Sequence, residues 1–266
     1  MVLLSAALSG VAQTVSSPDG NVTLTFQLDG EGTPCYSVDY KGKPVVRNSE
    51  LGFKTRQTDG FERGFTLKHT DYSRERSSWA PVWGENDSIR DWHNGMTVSL
   101  DNRKAKTKLD IEFRVFDDGI GFRYIFPKQH LKNLTVTDEL TQFAMPGDMT
   151  AWWIPGDYDT QEYEYTRSRL SEIREKNGVN TENVAQQTFS PTGVQTSLML
   201  KSDDGLYVNL HEAALVDFPA MHLNLDDSNY TFTSWLTPDI NGNKAEIKLP
   251  FSTPWGAVMV SDSPPT

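Results

Sequence analysis

Two glutamates, Glu162 and Glu164, stand two residues apart in the least ordinary stretch of the chain, residues 151–174 (AWWIPGDYDTQEYEYTRSRLSEIR). In extended backbone, residues so spaced face the same way. Such a carboxylate pair can bind a hard cation through oxygen, or one member can move protons in a pocket. A solvated acidic edge is the plainer alternative, and spacing alone favours it. The neighbours make the stretch distinctive: Trp152 and Trp153 are adjacent aromatics, and Tyr163, Tyr165, Arg167, Arg169 and Arg174 follow. Pro155-Gly156 breaks any regular element between them. Binding residues often sit on loops held by a rigid scaffold, and the rest of the chain reads as that scaffold.

Other candidate chemistries are weaker. His211-Glu212-Ala213-Ala214-Leu215 opens like the zinc motif H-E-x-x-H, but Leu215 occupies the place of the second histidine. The motif needs both ligands on one helical face. The histidines at 69, 93, 130, 211 and 222 are scattered. Trp79, Trp83 and Trp92, within residues 79–94 (WAPVWGENDSIRDWHN), are possible stacking platforms. Asn21, Asn86, Asn133 and Asn229 begin N-x-[ST] triplets, which are too frequent by chance to carry an assignment. The sequence contains no Walker loop, dinucleotide fingerprint or G-x-S-x-G elbow.

The elements that must position these residues read as strands. Residues 21–28 (NVTLTFQL) alternate, with Val22, Leu24, Phe26 and Leu28 on one face. Residues 35–40 form the hairpin partner, and 45–53 and 60–69 are further candidates. Residues 71–95 look less regular. Alternation returns at 96–100, 109–116, 121–126 and 134–141, then at 196–200, 206–210, 230–236, 245–249 and 257–260. Asp117-Asp118-Gly119, Asp203-Asp204-Gly205 and Asn241-Gly242-Asn243 read as tight turns. Residues 167–177 are the best helix candidate, and they are few. A dozen or so short strands punctuated by turns predict a large antiparallel sandwich. No fixed-period repeat is present.

Composition narrows the function classes. The 266 residues carry 25 Lys plus Arg against 36 Asp plus Glu, a net charge of −11. That balance argues against nucleic acid and against an anionic membrane surface. Cys35 is the single cysteine, so no intrachain disulfide and no cysteine zinc cluster can form. Residues 1–12 (MVLLSAALSGVA) are apolar and small, and Gly10-Val11-Ala12 fits a cleavage site with Gln13 as the mature start. No charged segment precedes them, so they read as a signal-peptide remnant that directs export. No other apolar run approaches the ~20 residues of a membrane span. Residues 13–262 read as one sandwich domain, and 263–266 (SPPT) as the start of a linker to a further domain.

Five stretches taken in order resemble the N-terminal domain of glycoside hydrolase family 97. They are 82–94 (VWGENDSIRDWHN), 117–127 (DDGIGFRYIFP), 162–173 (EYEYTRSRLSEI), 203–223 (DDGLYVNLHEAALVDFPAMHL) and 251–260 (FSTPWGAVMV). The resemblance implies an antiparallel β-super-sandwich of the galactose-mutarotase-like kind. It implies a (β/α)8 catalytic barrel downstream of residue 266, which would hold the catalytic carboxylates and leave none in this chain. It implies an exo-acting α-glucosidase or α-galactosidase on α-linked oligosaccharides, periplasmic in bacteria that process polysaccharides. It also implies calcium beside the substrate, with one glutamate ligand from the N-terminal domain in a Tyr-Glu pair followed by a leucine. The matching residues are Tyr163, Glu164 and Leu170. Arg169 stands where the family more often has proline, and Glu162 is the reserve ligand. Two alternatives remain on the same architecture. One is a free-standing aldose 1-epimerase that uses His211-Glu212. The other is a carbohydrate-binding module that uses Trp79, Trp83 and Trp92.

Overall fold

The structure is a computed structural model that describes residues 12–159, 161–177 and 188–264. The chain is 56% strand and 3% helix, and every strand pairing in the two main sheets is antiparallel. The expected all-β sandwich is present. An eight-stranded sheet runs in the order Gln13–Ser16, Val22–Leu28, Pro34–Tyr40, Lys43–Glu50, Gln142–Ala144, Thr231–Leu236, Met221–Asp226 and Gly193–Gln195. A ten-stranded sheet covers it. Its order is Thr166–Arg169, Thr150–Trp153, Leu198–Lys201, Tyr207–Ala213, Trp255–Ser261, Gly119–Phe126, Thr107–Phe116, Ile89–Asn102 and Thr66–Trp79, with Phe251–Ser252 also paired to Gly119–Phe126. A three-stranded sheet joins Ala245–Lys248, Asn133–Glu139 and Phe53–Thr55.

Period-two patterning explains the layers. In Thr107–Phe116, Leu109, Ile111, Phe113 and Val115 are buried, while Asp110, Glu112 and Arg114 keep partial exposure on the other face. Aromatic rings join the two inner faces: Phe26 meets Phe113 at 6.0 Å, Tyr36 meets Phe122 at 5.4 Å and Phe143 meets Phe122 at 6.1 Å. Phe53 of the small sheet packs edge-on against Tyr124 at 4.6 Å and Phe126 at 5.3 Å. Fully burying one such ring is worth about 1.5–3 kcal/mol. On the outer face of the large sheet, Arg114 and Arg123 share Glu112 and lie 4.4 and 4.6 Å from the Trp255 ring.

The structure departs from the expected elements in three places. Residues 71–95 are regular: Thr66–Trp79 and Ile89–Asn102 are strands of 14 residues each, paired antiparallel with one irregularity between Leu67 and His69. Thr66–Trp79 is exposed or half-buried on both faces, so it carries no hydrophobic alternation to detect. Residues 60–65 form no strand, and the element placed there begins at Thr66. Residues 167–177 divide into the end of a strand, a 3-10 turn at Leu170–Glu172 and one helical turn at Ile173–Lys176. Residues 1–11 of the expected export signal and the last two of the expected linker lie outside the described residues. Among the described residues no helix is long and apolar enough to cross a membrane.

Candidate functional site

The 151–174 stretch folds as a hairpin at the edge of the ten-stranded sheet. Thr150–Trp153 pairs with Thr166–Arg169, and Trp153 lies opposite Thr166. Ala151 and Trp153 are buried, and the Trp153 indole N–H donates to Ser168 Oγ at 3.0 Å. Trp152 takes the other face, with the Arg167 guanidinium 5.5 Å from its ring. Between the strands, Pro155-Gly156 lays the chain along the edge strand of the opposite sheet. Pro155 bridges Val194, and the Gly156 N–H donates to Gly193 O at 2.9 Å. A Cβ on Gly156 would stand 2.3 Å from the Phe189 ring, so only glycine admits this approach.

Asp157 anchors the loop. It is fully buried. Its Oδ1 accepts the Asp159 N–H at 2.8 Å, and its Oδ2 accepts the Tyr163 hydroxyl at 2.7 Å. Its carbonyl lies 3.1 Å from His222 Nε2, which must carry the proton to donate there. His222 is 1% exposed, and burial lowers its pKa, which keeps the ring neutral. Phe189 and Trp235 stack at 4.0 Å and both present their planes edge-on to His222. Burial and the Asp157 carboxylate raise the Tyr163 pKa, so the phenol keeps its proton.

Glu162 and Glu164 flank Tyr163, and both are exposed. Tyr163 alone of this segment is tied inward, and Gln161 and Tyr165 are exposed as well. Neither carboxylate has an ion pair or side-chain hydrogen bond among the described residues. Leu170 is buried at the start of the 3-10 turn. Arg169, at the position where proline is commoner, forms a bidentate pair with Asp203 at 2.6 and 2.8 Å. It thereby ties the hairpin to the Asp203-Asp204-Gly205 turn. Asp157 and His222 lie within the stretches 151–174 and 203–223, but nothing in those stretches marks either one: Asp157 sits in a turn-like PGDYD, and His222 is one of five dispersed histidines.

The other sequence candidates are dispersed. His211 and Glu212 are consecutive in Tyr207–Ala213 and face opposite ways. His211 lines a groove on the outer face with Met199, Tyr207, Asn209 and Met259. Glu212 lines an inner cleft with Glu139, Tyr124, Thr141 and Trp255. They do not converge on one site. Trp79 and Trp92 lie on opposite faces of the long two-stranded ribbon, since Trp79 pairs with Ile89 while Trp92 pairs with Arg76. Trp83, 89% exposed, sits in the loop beyond. The three tryptophans form no common platform.

The inner cleft brings Glu212 together with Glu139, a titratable group that sequence reading did not identify. Thr141 Oγ1 donates to Glu139 at 2.6 Å and takes the Tyr124 hydroxyl at 2.6 Å, which in turn accepts the Gly52 N–H at 3.3 Å. Burial pushes the Glu139 pKa up to about 7, with nearby Glu212 adding to the rise. Glu212 is also raised by burial, and its Oε1 accepts the Met221 N–H at 3.1 Å.

The profile described as "Glycosyl-hydrolase 97 N-terminal" matches residues 15–266. The chain belongs to glycoside hydrolase family 97. Within the family it is similar to a retaining α-galactosidase of Bacteroides thetaiotaomicron, 26% identical over 253 residues, which make up 89% of this chain and 34% of that protein. It is also similar to a family 97 enzyme of Pseudoalteromonas sp. strain K8 solved with acarbose, at 34% identity and a TM-score of 0.83, covering 94% of this chain and 36% of that one. A β-arabinopyranosidase structure superposes over 94% of this chain and 40% of that one with a TM-score of 0.80 at 24% identity, which shows the shared fold alone. The chain spans about a third of the length of these family 97 relatives.

Proposed function

We propose that this chain is the N-terminal, non-catalytic domain of an exported, calcium-dependent, exo-acting α-glycosidase. It acts with a (β/α)8 barrel from the rest of the polypeptide on α-linked oligosaccharides, as an α-galactosidase or an α-glucosidase. The observation that carries this reading is the family match along residues 15–266 of a chain that corresponds to only about a third of its relatives. Among the relatives, one is a retaining α-galactosidase, and another is a family 97 enzyme solved with acarbose. The apolar, small-residue stretch 1–12 supports export.

Glu164 is the residue we assign to calcium. Calcium takes 6–8 oxygen ligands, and among the described residues no three His, Cys, Asp or Glu side chains gather. An exposed, unpaired carboxylate on a clamped loop fits one position of a site completed by another domain, and not a whole site. When bound, calcium supplies polarisation of an oxygen at the scissile bond. The residues of this chain hold and orient: Glu164 offers a fixed anionic oxygen, while Trp152 and Arg167 stiffen the hairpin behind it.

Assaying the purified 13–266 polypeptide and the longer protein on aryl α-galactoside and α-glucoside tests this. The longer protein is expected to turn over one of them and the short one neither. Turnover by the short polypeptide that survives repurification contradicts the proposal.

A further inference from the structure

We propose that Asp157 is the positioning residue of the Glu164 arm, acting through Tyr163 and braced by His222. The inference rests on the reading of Glu164 as a calcium ligand and adds what aims it. The loop between Trp153 and Thr166 is held at its far end by the strand ladder. Alone, that ladder would leave Glu164 on a frayed segment two residues before the first pair. The Tyr163 hydroxyl removes that freedom. It is 2.7 Å from a carboxylate that is fully buried, and Tyr163 directly precedes Glu164. Asp157 is itself held on side chain and backbone: the Asp159 N–H reaches Oδ1, the His222 Nε2–H reaches the Asp157 backbone carbonyl, and the Gly156 N–H, one residue before, donates to Gly193. His222 is wedged against Phe189 and Trp235 at 5.7 and 5.6 Å, so the brace runs from the sheet to the loop.

The physical consequence is preorganisation. A ligand carboxylate held in one direction loses less conformational entropy when it binds metal than one on a mobile loop. Partners that orient a metal ligand without touching the metal commonly change affinity 10–100-fold when removed.

The test measures calcium binding calorimetrically in the full-length protein, with metal-free melting temperatures recorded alongside. Tyr163→Phe deletes one hydroxyl and leaves the ring in place. We expect it to weaken calcium binding about tenfold with a metal-free melting temperature close to wild type. His222→Leu should weaken binding likewise. His222→Gln, which can still offer an N–H to the Asp157 carbonyl, should recover most of the loss. A role limited to fold stability would lower the melting temperature and leave affinity unchanged in whatever remains folded. Glu164→Gln is the reference arm. If it weakens calcium and Tyr163→Phe does not, the positioning role is overturned and the ligand assignment stands. If Glu164→Gln leaves affinity unchanged, the ligand assignment fails, and the positioning role with it.

Discussion

Burial holds the Glu139 carboxyl near 7, well above the ordinary glutamate value of 4.5, and Glu212 across the cleft adds to the rise. Between those two values the folded chain keeps a proton that the unfolded chain has released. Stability therefore falls as pH rises through this window, and the loss is complete above about 7. Glu139→Gln keeps the acceptor for the Thr141 hydroxyl and removes the ionisation. It should raise stability at pH 8 by about 2 kcal/mol, leave it nearly unchanged at pH 4, and flatten the pH profile. Denaturant unfolding at several pH values measures this, and an equal effect at both ends would show that ionisation is not the cause. None of this could be read from the sequence. Glu139 and Glu212 are far apart in the chain and meet only because two separate strands line one cleft. Glu164 is the opposite case: it lies inside a stretch whose composition already set it apart. Its anchor Asp157 was hidden, because a buried aspartate and a turn aspartate look alike in sequence.

At the scale of elements, alternation was readable wherever one face is buried. Val22–Leu28 and Thr107–Phe116 match their expected spans closely for that reason. The ribbon Thr66–Trp79 was not readable, since most of it has no buried face to mark. Thr150–Trp153 and Met221–Asp226 are short or mixed in pattern, and their pairing partners rather than their own residues define them. The Asp117-Asp118-Gly119 signal was right about the turn, for a reason only partly visible. The two aspartates form the loop, and Gly119 opens the next strand with φ 151°. A Cβ there would stand 2.2 Å from Val258 O and 2.8 Å from Met259 Cα, so the glycine also admits the neighbouring strand. Gly119→Ala should therefore force that strand away and cost about 2–4 kcal/mol. A thermal melt checks this, and a melting temperature within a degree of wild type would refute the close-approach argument.

Across the whole molecule, the sandwich is a scaffold that exposes one edge hairpin. Its core rings join the two large sheets and fix where that hairpin emerges. The net charge of −11 argues against a nucleic-acid role and suits a domain that offers carboxylates to a cation. In the proposed enzyme, Glu164 gives the active site of the full-length protein one of its calcium ligands. Calorimetric titration of calcium into the full-length wild type, Glu164→Gln and Glu162→Gln tests it directly. Glu164→Gln keeps size and removes charge. It should weaken calcium binding at least tenfold and lower turnover, and added calcium should restore part of the rate, while Glu162→Gln stays near wild type. Unchanged affinity in Glu164→Gln would contradict the assignment of Glu164 to calcium, and a loss confined to Glu162→Gln would move the ligand two residues upstream.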